Sequence, residues 1–268
     1  MNMPIKTEKD IYIRLIKYKL GWPDAALLRK KFKKQYGITK SQATDEQLYE
    51  FAKQVLYPIM DEADEIIGRS SWDLEGLEGQ TEKQLFHPHY DILKDHIFQN
   101  HTSNSKILII LECSNSKPYS NSHNIKNFYN RYKDIADFAV ISNPGIIPIE
   151  YSNFYPYRYD EWDHYKESQE IEDLYVEVNK ERFYEYVKHF GYEHVIIMIQ
   201  HPKPRRMFDE IRYTYKDAQL HFVVDDKFTD YLREEYPKLG KGLLYLRTPN
   251  LKPTREKFDN IIKKITTK

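Results

Sequence analysis

Apolar residues in this chain change their spacing near residue 105. Upstream they recur with a helical period. Ile11, Leu15 and Tyr18, with Ile16 and Leu20 beside them, form one stripe. Trp22-Pro23-Asp24 opens a second helix that Gly37 ends. Thr44-Asp-Glu-Gln47 has the spacing of a capping box, and the helix it starts carries Leu48, Phe51, Ala52, Val55, Leu56 and Ile59 before stopping near Gly68. Residues 69–86 are Gly, Ser and Glu rich and read as a surface loop. Downstream, short apolar blocks alternate with amphipathic stretches. Strands are expected at Ile107–Leu111, Phe138–Ser142, His194–Gln200 and Leu220–Val224, with a fifth at Leu243–Leu246. Helices are expected at Asn124–Lys133, Ile171–Phe190, Phe228–Tyr236 and Arg255–Ile265, and residues 143–165 read as a long loop.

Alternating strands and helices predict a three-layer αβα fold with a mostly parallel sheet of four to five strands. The expected division is a helical N-terminal region over 1–100 and an α/β core over 101–268, which is large enough to bury its own core.

Composition narrows the function classes. Basic and acidic residues balance at 41 each, so bulk charge does not announce a nucleic-acid binder and any such binding needs a local patch. A single cysteine excludes an intrachain disulfide framework and a four-cysteine metal site. No secretory or membrane-length apolar run is present, so the expectation is a cytoplasmic protein without a membrane partner. His87-Pro-His89 is a poor ligand pair and reads as a turn; neither a metal nor a cofactor is expected.

The chemistry concentrates where strands end. Open α/β sheets bind ligands outside the carboxyl ends of their strands. The Ile107–Leu111 strand runs through Glu112 into Cys113-Ser114-Asn-Ser-Lys117-Pro118-Tyr119-Ser120-Asn-Ser122-His123. A nucleophilic cysteine needs a cation or a helix N-terminus close by, and Lys117, His123 and a helix starting near Asn124 are within loop reach. The alternative is an inert cysteine closing a strand, with Ser120 and Ser122 satisfying turn backbone. Pro144-Gly145 forces a sharp turn and lets backbone approach a flat ligand, or is an ordinary turn. Residues 151–165 hold seven aromatics, among them Tyr155 and Tyr159, with Asp160 placed to read a base edge; one or two rings are expected to stack on a base and the others to pack. His201, Lys203, Arg205 and Arg206 follow a later strand and suit a phosphate, or form a solvated cluster. Arg29-Lys30-Lys31-Phe32-Lys33-Lys34 is a further basic patch, by itself an ordinary wet helix face.

The Cys113-Ser-x-x-Lys117-Pro118-Tyr119-Ser120-x-Ser122-His123 stretch resembles the signature of archaeosine synthase. Pro144-Gly145-Ile-Ile-Pro148-x-Glu150 and Tyr155-Pro156-x-x-Tyr159-Asp160 are similar to its next two motifs, in order. The resemblance covers about residues 105–165. It departs at Glu112, where the family has proline, and at Ile149, where it often has arginine. The barrel and the RNA-binding module of the full enzyme have no room here. Lys117-Pro118-Tyr119 and His201-Pro202-Lys203-Pro204 also resemble the two loops of the uracil-DNA glycosylase fold. The water-orienting aspartate of that fold falls at Lys117, which cannot act as a carboxylate base.

These resemblances imply a transferase that adds an amine, lysine in that family, to the nitrile of 7-cyano-7-deazaguanine in tRNA. Cys113, Lys117, His123 and Asp160 would be catalytic. Ser114, Pro118, Tyr119, Ser120, Ser122, Pro144, Gly145, Tyr155 and Tyr159 would hold the base, and His201, Lys203, Arg205 and Arg206 the phosphates. The implied partners are tRNA or modified DNA, free lysine or another amine donor, and a protein supplying RNA binding or radical chemistry. A glycosylase-like hydrolase and a non-catalytic base-binding subunit are the alternatives.

Overall fold

The computed structural model describes residues 26–55, 85–86, 88–113, 119, 122–142, 145–152, 168–240, 244 and 247–267, together with Lys9, Ile13, Ile16, Lys17 and Leu20. Its elements run α1 (Ala26–Tyr36), α2 (residues 45–55), α3 (Pro88–Asn100), β1 (Ile107–Glu112), α4 (His123–Tyr132), β2 (Asp137–Ser142), β3 (Gly145–Pro148), α5 (Gln169–Phe190), β4 (His194–Met198), α6 (Pro202–Ile211), β5 (Gln219–Phe222), α7 (Asp226–Glu235) and α8 (Lys252–Thr266).

The sheet has five strands in the order β3-β2-β1-β4-β5. β1 lies at its centre, parallel to β2 and to β4, and β4 is parallel to β5. β3 alone is antiparallel, pairing Ser142 with Gly145 and Ala139 with Pro148. Central parallel strands are covered on both faces, and this is why β1 and β4 are nearly continuous runs of Ile, Leu, Val and Met. On one face Phe98 of α3 meets Tyr186 and His189 of α5, and Phe183 of α5 meets Phe208 of α6 edge-on at 5.2 Å. On the other, Phe128 of α4 packs against Phe138 of β2 and against Phe258 of α8 at 4.5 Å. The fold is a three-layer αβα sandwich, as the alternating pattern predicts.

Local signals set several ends. Ser168 accepts a hydrogen bond from the Ile171 amide at the start of α5, and Asp225 accepts one from Phe228 at the start of α7. α5 ends at Gly191, which has φ 66°, in the left-handed region that glycine enters without cost. In the helical N-terminal part, Thr44 and Gln47 form the expected capping box.

Three expectations are corrected. The stretch 143–165 is not loop throughout. Gly145–Pro148 folds back on β2 as the fifth strand, because Ile146 and Ile147 bury fully beside Val140 and Ile141. Within the strand expected at Leu243–Leu246, Leu244 is helical; residues 243, 245 and 246 lie outside the described residues. The α/β core begins before the boundary at 100: α3 buries Tyr90, Leu93 and Ile97 in the same cluster as the sheet. A separate cluster of Ile13, Ile16, Leu20, Phe32, Leu48, Phe51 and Ala52 holds the N-terminal helices together. No helix among the described residues is long and apolar enough to cross a membrane.

Candidate functional site

The topology creates one privileged crevice. The chain leaves β1 through α4 to β2 on one side. It later enters β4 on the other side of β1 and leaves that strand for β5. The connections after β1 and β4 therefore diverge, which is the switch point where open α/β sheets bind ligands. Cys113 follows β1 at this point, and His201 begins α6 after β4.

Glu112 ties the two strand ends together. Its Oε1 accepts the backbone N–H of Gln200 and, at 2.5 Å, that of His201. Both amides precede the first turn of α6, where backbone donors lack intrahelical partners and a negative charge is favoured. The residue that ends the central strand is a carboxylate anchoring the neighbouring helix.

Cys113 is exposed, and with one cysteine in the chain it forms no intrachain disulfide. The Tyr119 side chain is wholly buried. Its hydroxyl donates to Ser142 Oγ at 3.2 Å and its backbone N–H donates to Ser152 Oγ at 3.2 Å. Ser152 Oγ in turn donates to the Ile149 carbonyl at 2.7 Å. Burial pushes the Tyr119 phenol well above its ordinary pKa; the charge of Cys113 adds to this and the Ser142 bond opposes it. Ser122 is also buried, its N–H donating to the Tyr119 carbonyl at 3.0 Å as α4 begins. Tyr119 is a pin between the cysteine loop and the β2–β3 hairpin. Its face is packed, so a base does not stack there.

Gly145 has φ 146°, and a Cβ on it would lie 2.2 Å from the Tyr90 hydroxyl oxygen. The flat group that approaches this glycine is the ring of Tyr90, itself stacked under Arg182 with the guanidinium carbon 4.2 Å from its centroid.

The basic cluster after β4 is not a loop. It is the first two turns of α6, and its cations are engaged. Lys203 is buried with its ammonium 4.2 Å from the centroid of Tyr175. Arg205 pairs with Asp226 at 2.9 Å and Asp209 at 3.3 Å. Arg206 pairs with Asp173 at 2.6 Å and Glu210 at 3.1 Å. Hydrogen bonds from Gln169 and then from Arg206 hold the Asp173 carboxyl below its ordinary range. A cleft of about 580 Å3 opens between Gln200, Arg205 and Asp226. Its rim carries both signs of charge, and this weakens the expected phosphate role of the two arginines.

The crevice therefore gathers Cys113, Tyr119, Ser142 and His201 with Glu112. Ser114, Lys117, Pro118, Ser120, Pro144, Tyr155, Tyr159 and Asp160 lie outside the described residues, as does the side chain of His123. No group of three or more metal-ligating side chains occurs among the described residues. Glu112, Ser142 and Ser152 are missed by the sequence reading as structural partners. Glu112 alone had a signal, a charged residue ending an otherwise apolar strand.

No curated protein matches the chain. The solved structure of AF0587, described as a protein of unknown function, is 15% identical over 59% of this chain and 54% of its own, with a TM-score of 0.37. The match thus spans about half of that protein. A family model described as a domain of unknown function, DUF5591, matches residues 93–232, from α3 through most of α7 and so across the whole crevice. The chain belongs to the DUF5591 family.

Proposed function

We propose that this chain is a transferase that adds an amine to the nitrile carbon of a 7-cyano-7-deazaguanine base held in nucleic acid. One juxtaposition supports the reading. The exposed thiol of Cys113, first residue of the archaeosine-synthase-like motif, stands at the carboxyl end of the central strand, in the crevice between β1 and β4.

The chemistry follows from the thiol. The Cys113 thiolate adds to the nitrile carbon, the C≡N π bond breaks, and the nitrogen takes a proton to give a thioimidate. An incoming amine adds to the same carbon, the C–S bond breaks, and the thiolate leaves an amidine behind. The motif assigns proton donation to Lys117 or His123 and base reading to Asp160. Tyr119, pinned in the core, supports the loop rather than stacking on the base. The stacking rings of this reading are Tyr155 and Tyr159. Glu112 holds the His201 backbone beside the end of β1.

The test is incubation with tRNA carrying the nitrile base and free lysine, followed by mass analysis of the nucleosides. Addition of one lysine mass supports the reading. Release of a free base would identify a hydrolase instead. Binding without turnover, unchanged by Cys113→Ser, would identify a base reader. Full rate in Cys113→Ala would remove the covalent step and leave direct attack by the amine.

A further inference from the structure

Helix α1 is a strongly cationic surface that the candidate site does not use. Its sequence, Ala-Leu-Leu-Arg-Lys-Lys-Phe-Lys-Lys-Gln-Tyr, carries five cations and no acid. Only Phe32 of this helix is buried; Lys30, Lys31, Lys33 and Lys34 are all exposed. At 3.6 residues per turn, Leu28, Phe32 and Tyr36 share the inward side, where Phe32 and Tyr36 meet the ring of Phe51 edge-on. The four lysines fan across the remaining surface.

Neutralisation is available nearby and is not used. Asp45, Glu46 and Glu50 of α2 pair with Lys17, Lys9 and Lys53. Among the described residues no carboxylate pairs with Lys30, Lys31, Lys33 or Lys34. Cations one turn apart on a helix, as Lys30 and Lys34 are, repel by a few tenths of a kcal/mol. An isolated α1 thus carries a small standing penalty that an external polyanion removes.

We infer that α1 is a docking surface for the phosphate backbone of a nucleic acid. Two observations favour this occupant over an anionic membrane. A helix lying in a bilayer interface turns its apolar face outward. Here that face is turned into the core, leaving Leu27 as the one strongly exposed large apolar residue of α1. The charge density also matches. Eleven residues rise about 16 Å, so the four lysines present roughly one charge per 4 Å. A nucleic-acid strand presents one phosphate per about 3.4 Å of axis. The engaged state of Arg205 and Arg206 gives this surface its place: the backbone contact needed by a base-modifying site is supplied by the helical N-terminal part. The inference takes its partner class from the proposed function and is tested without any chemistry.

The experiment compares the full chain with the variant Lys30→Gln/Lys31→Gln/Lys33→Gln/Lys34→Gln. Affinity for an unmodified tRNA transcript is measured from about 50 to 200 mM salt, the range over which counterion release is read. A control removes the same charge elsewhere, at the exposed Lys126, Lys133, Lys188 and Lys216. The expected result is a slope of log Kd on log salt shallower by about 2.8 to 3.6 in the α1 variant and unchanged in the control. Across that salt range the parent then loses roughly 50- to 150-fold more affinity than the α1 variant. Circular dichroism and Tm report that the variant is folded. An unchanged slope, an equal change in the control, or binding to phosphatidylserine vesicles without binding to tRNA would each overturn the inference. Salt-dependent binding with no nitrile conversion would leave α1 as a docking surface and remove the proposed reaction.

Discussion

Glu112 accepts the backbone N–H of His201 at 2.5 Å, so the last residue of the central strand holds the first turn of the helix after its neighbour. This bond ties the end of β1, next to Cys113, to the start of α6. Glu112→Ala leaves two helix-end amides without their charged acceptor. The expected loss is about 2 to 3 kcal/mol, because hydrogen bonds to an ionised partner are the stronger kind. Glu112→Gln keeps an acceptor and loses about half of that. Urea unfolding of the three proteins checks the order.

The approach of Gly145 to Tyr90 gives a sharper outcome. Gly145→Ala sets a methyl 2.2 Å from the Tyr90 hydroxyl at a φ that side chains rarely adopt. Overpacking and backbone strain together should cost about 3 kcal/mol or more. Tyr90→Ala relieves the clash but not the strain. In a double-mutant cycle the two changes should therefore be non-additive, the pair costing less than the sum of the singles.

The buried tyrosines set an alkaline limit. Burial pushes the Tyr90 phenol up to about 12. Its ordinary value is 10.0, so the folded state binds the proton more tightly than the unfolded chain. The contribution of this group is complete below pH 10 and declines as pH rises toward 12. Tyr119 and Tyr186 are shifted the same way by burial and add to the decline. Stability should fall steeply above pH 10, and Tyr90→Phe should make the fall shallower between pH 10 and 12. Chemical denaturation at a series of pH values measures it.

Lys203 separates a structural cation from a binding one. Lys203→Ala removes a buried stem and its ammonium over Tyr175, at an expected cost of about 2 kcal/mol or more. Arg206→Ala breaks exposed pairs and should cost less than about 1 kcal/mol. Thermal unfolding of both variants checks the difference. A Lys203→Ala protein as stable as its parent would return this residue to the surface.

Much of this architecture is legible in the residues. The block Ile107–Leu111, followed by alternating helical and apolar stretches, reads as a covered strand, and the structure adds the caps Ser168 and Asp225 a few residues ahead of the helix starts read at Ile171 and Phe228. β3 is hidden because its two isoleucines lie between prolines 144 and 148, which read as loop. Helix α3 is hidden because His87-Pro-His89 reads as a turn, whereas Pro88 occupies the first helical position, where its missing N–H costs nothing. The site is legible only as a place. That Cys113 follows a central strand can be read from the alternation. That Tyr119 turns inward to Ser142 cannot, since the pairing spans a strand and a helix whose packing no local pattern encodes. The cations of α6 mislead for a similar reason: the carboxylates that engage them come from α5 and α7 as well as from α6 itself.

The antiparallel β3 has a bearing on association between copies. Four residues long and finished by Pro148, it offers a neighbouring chain few amide donors, and a proline at a border discourages the addition of another strand. Growth of the sheet by self-pairing is thereby blunted on the flank beyond β2. Any strand-to-strand assembly of this molecule should proceed from the opposite flank, at β5.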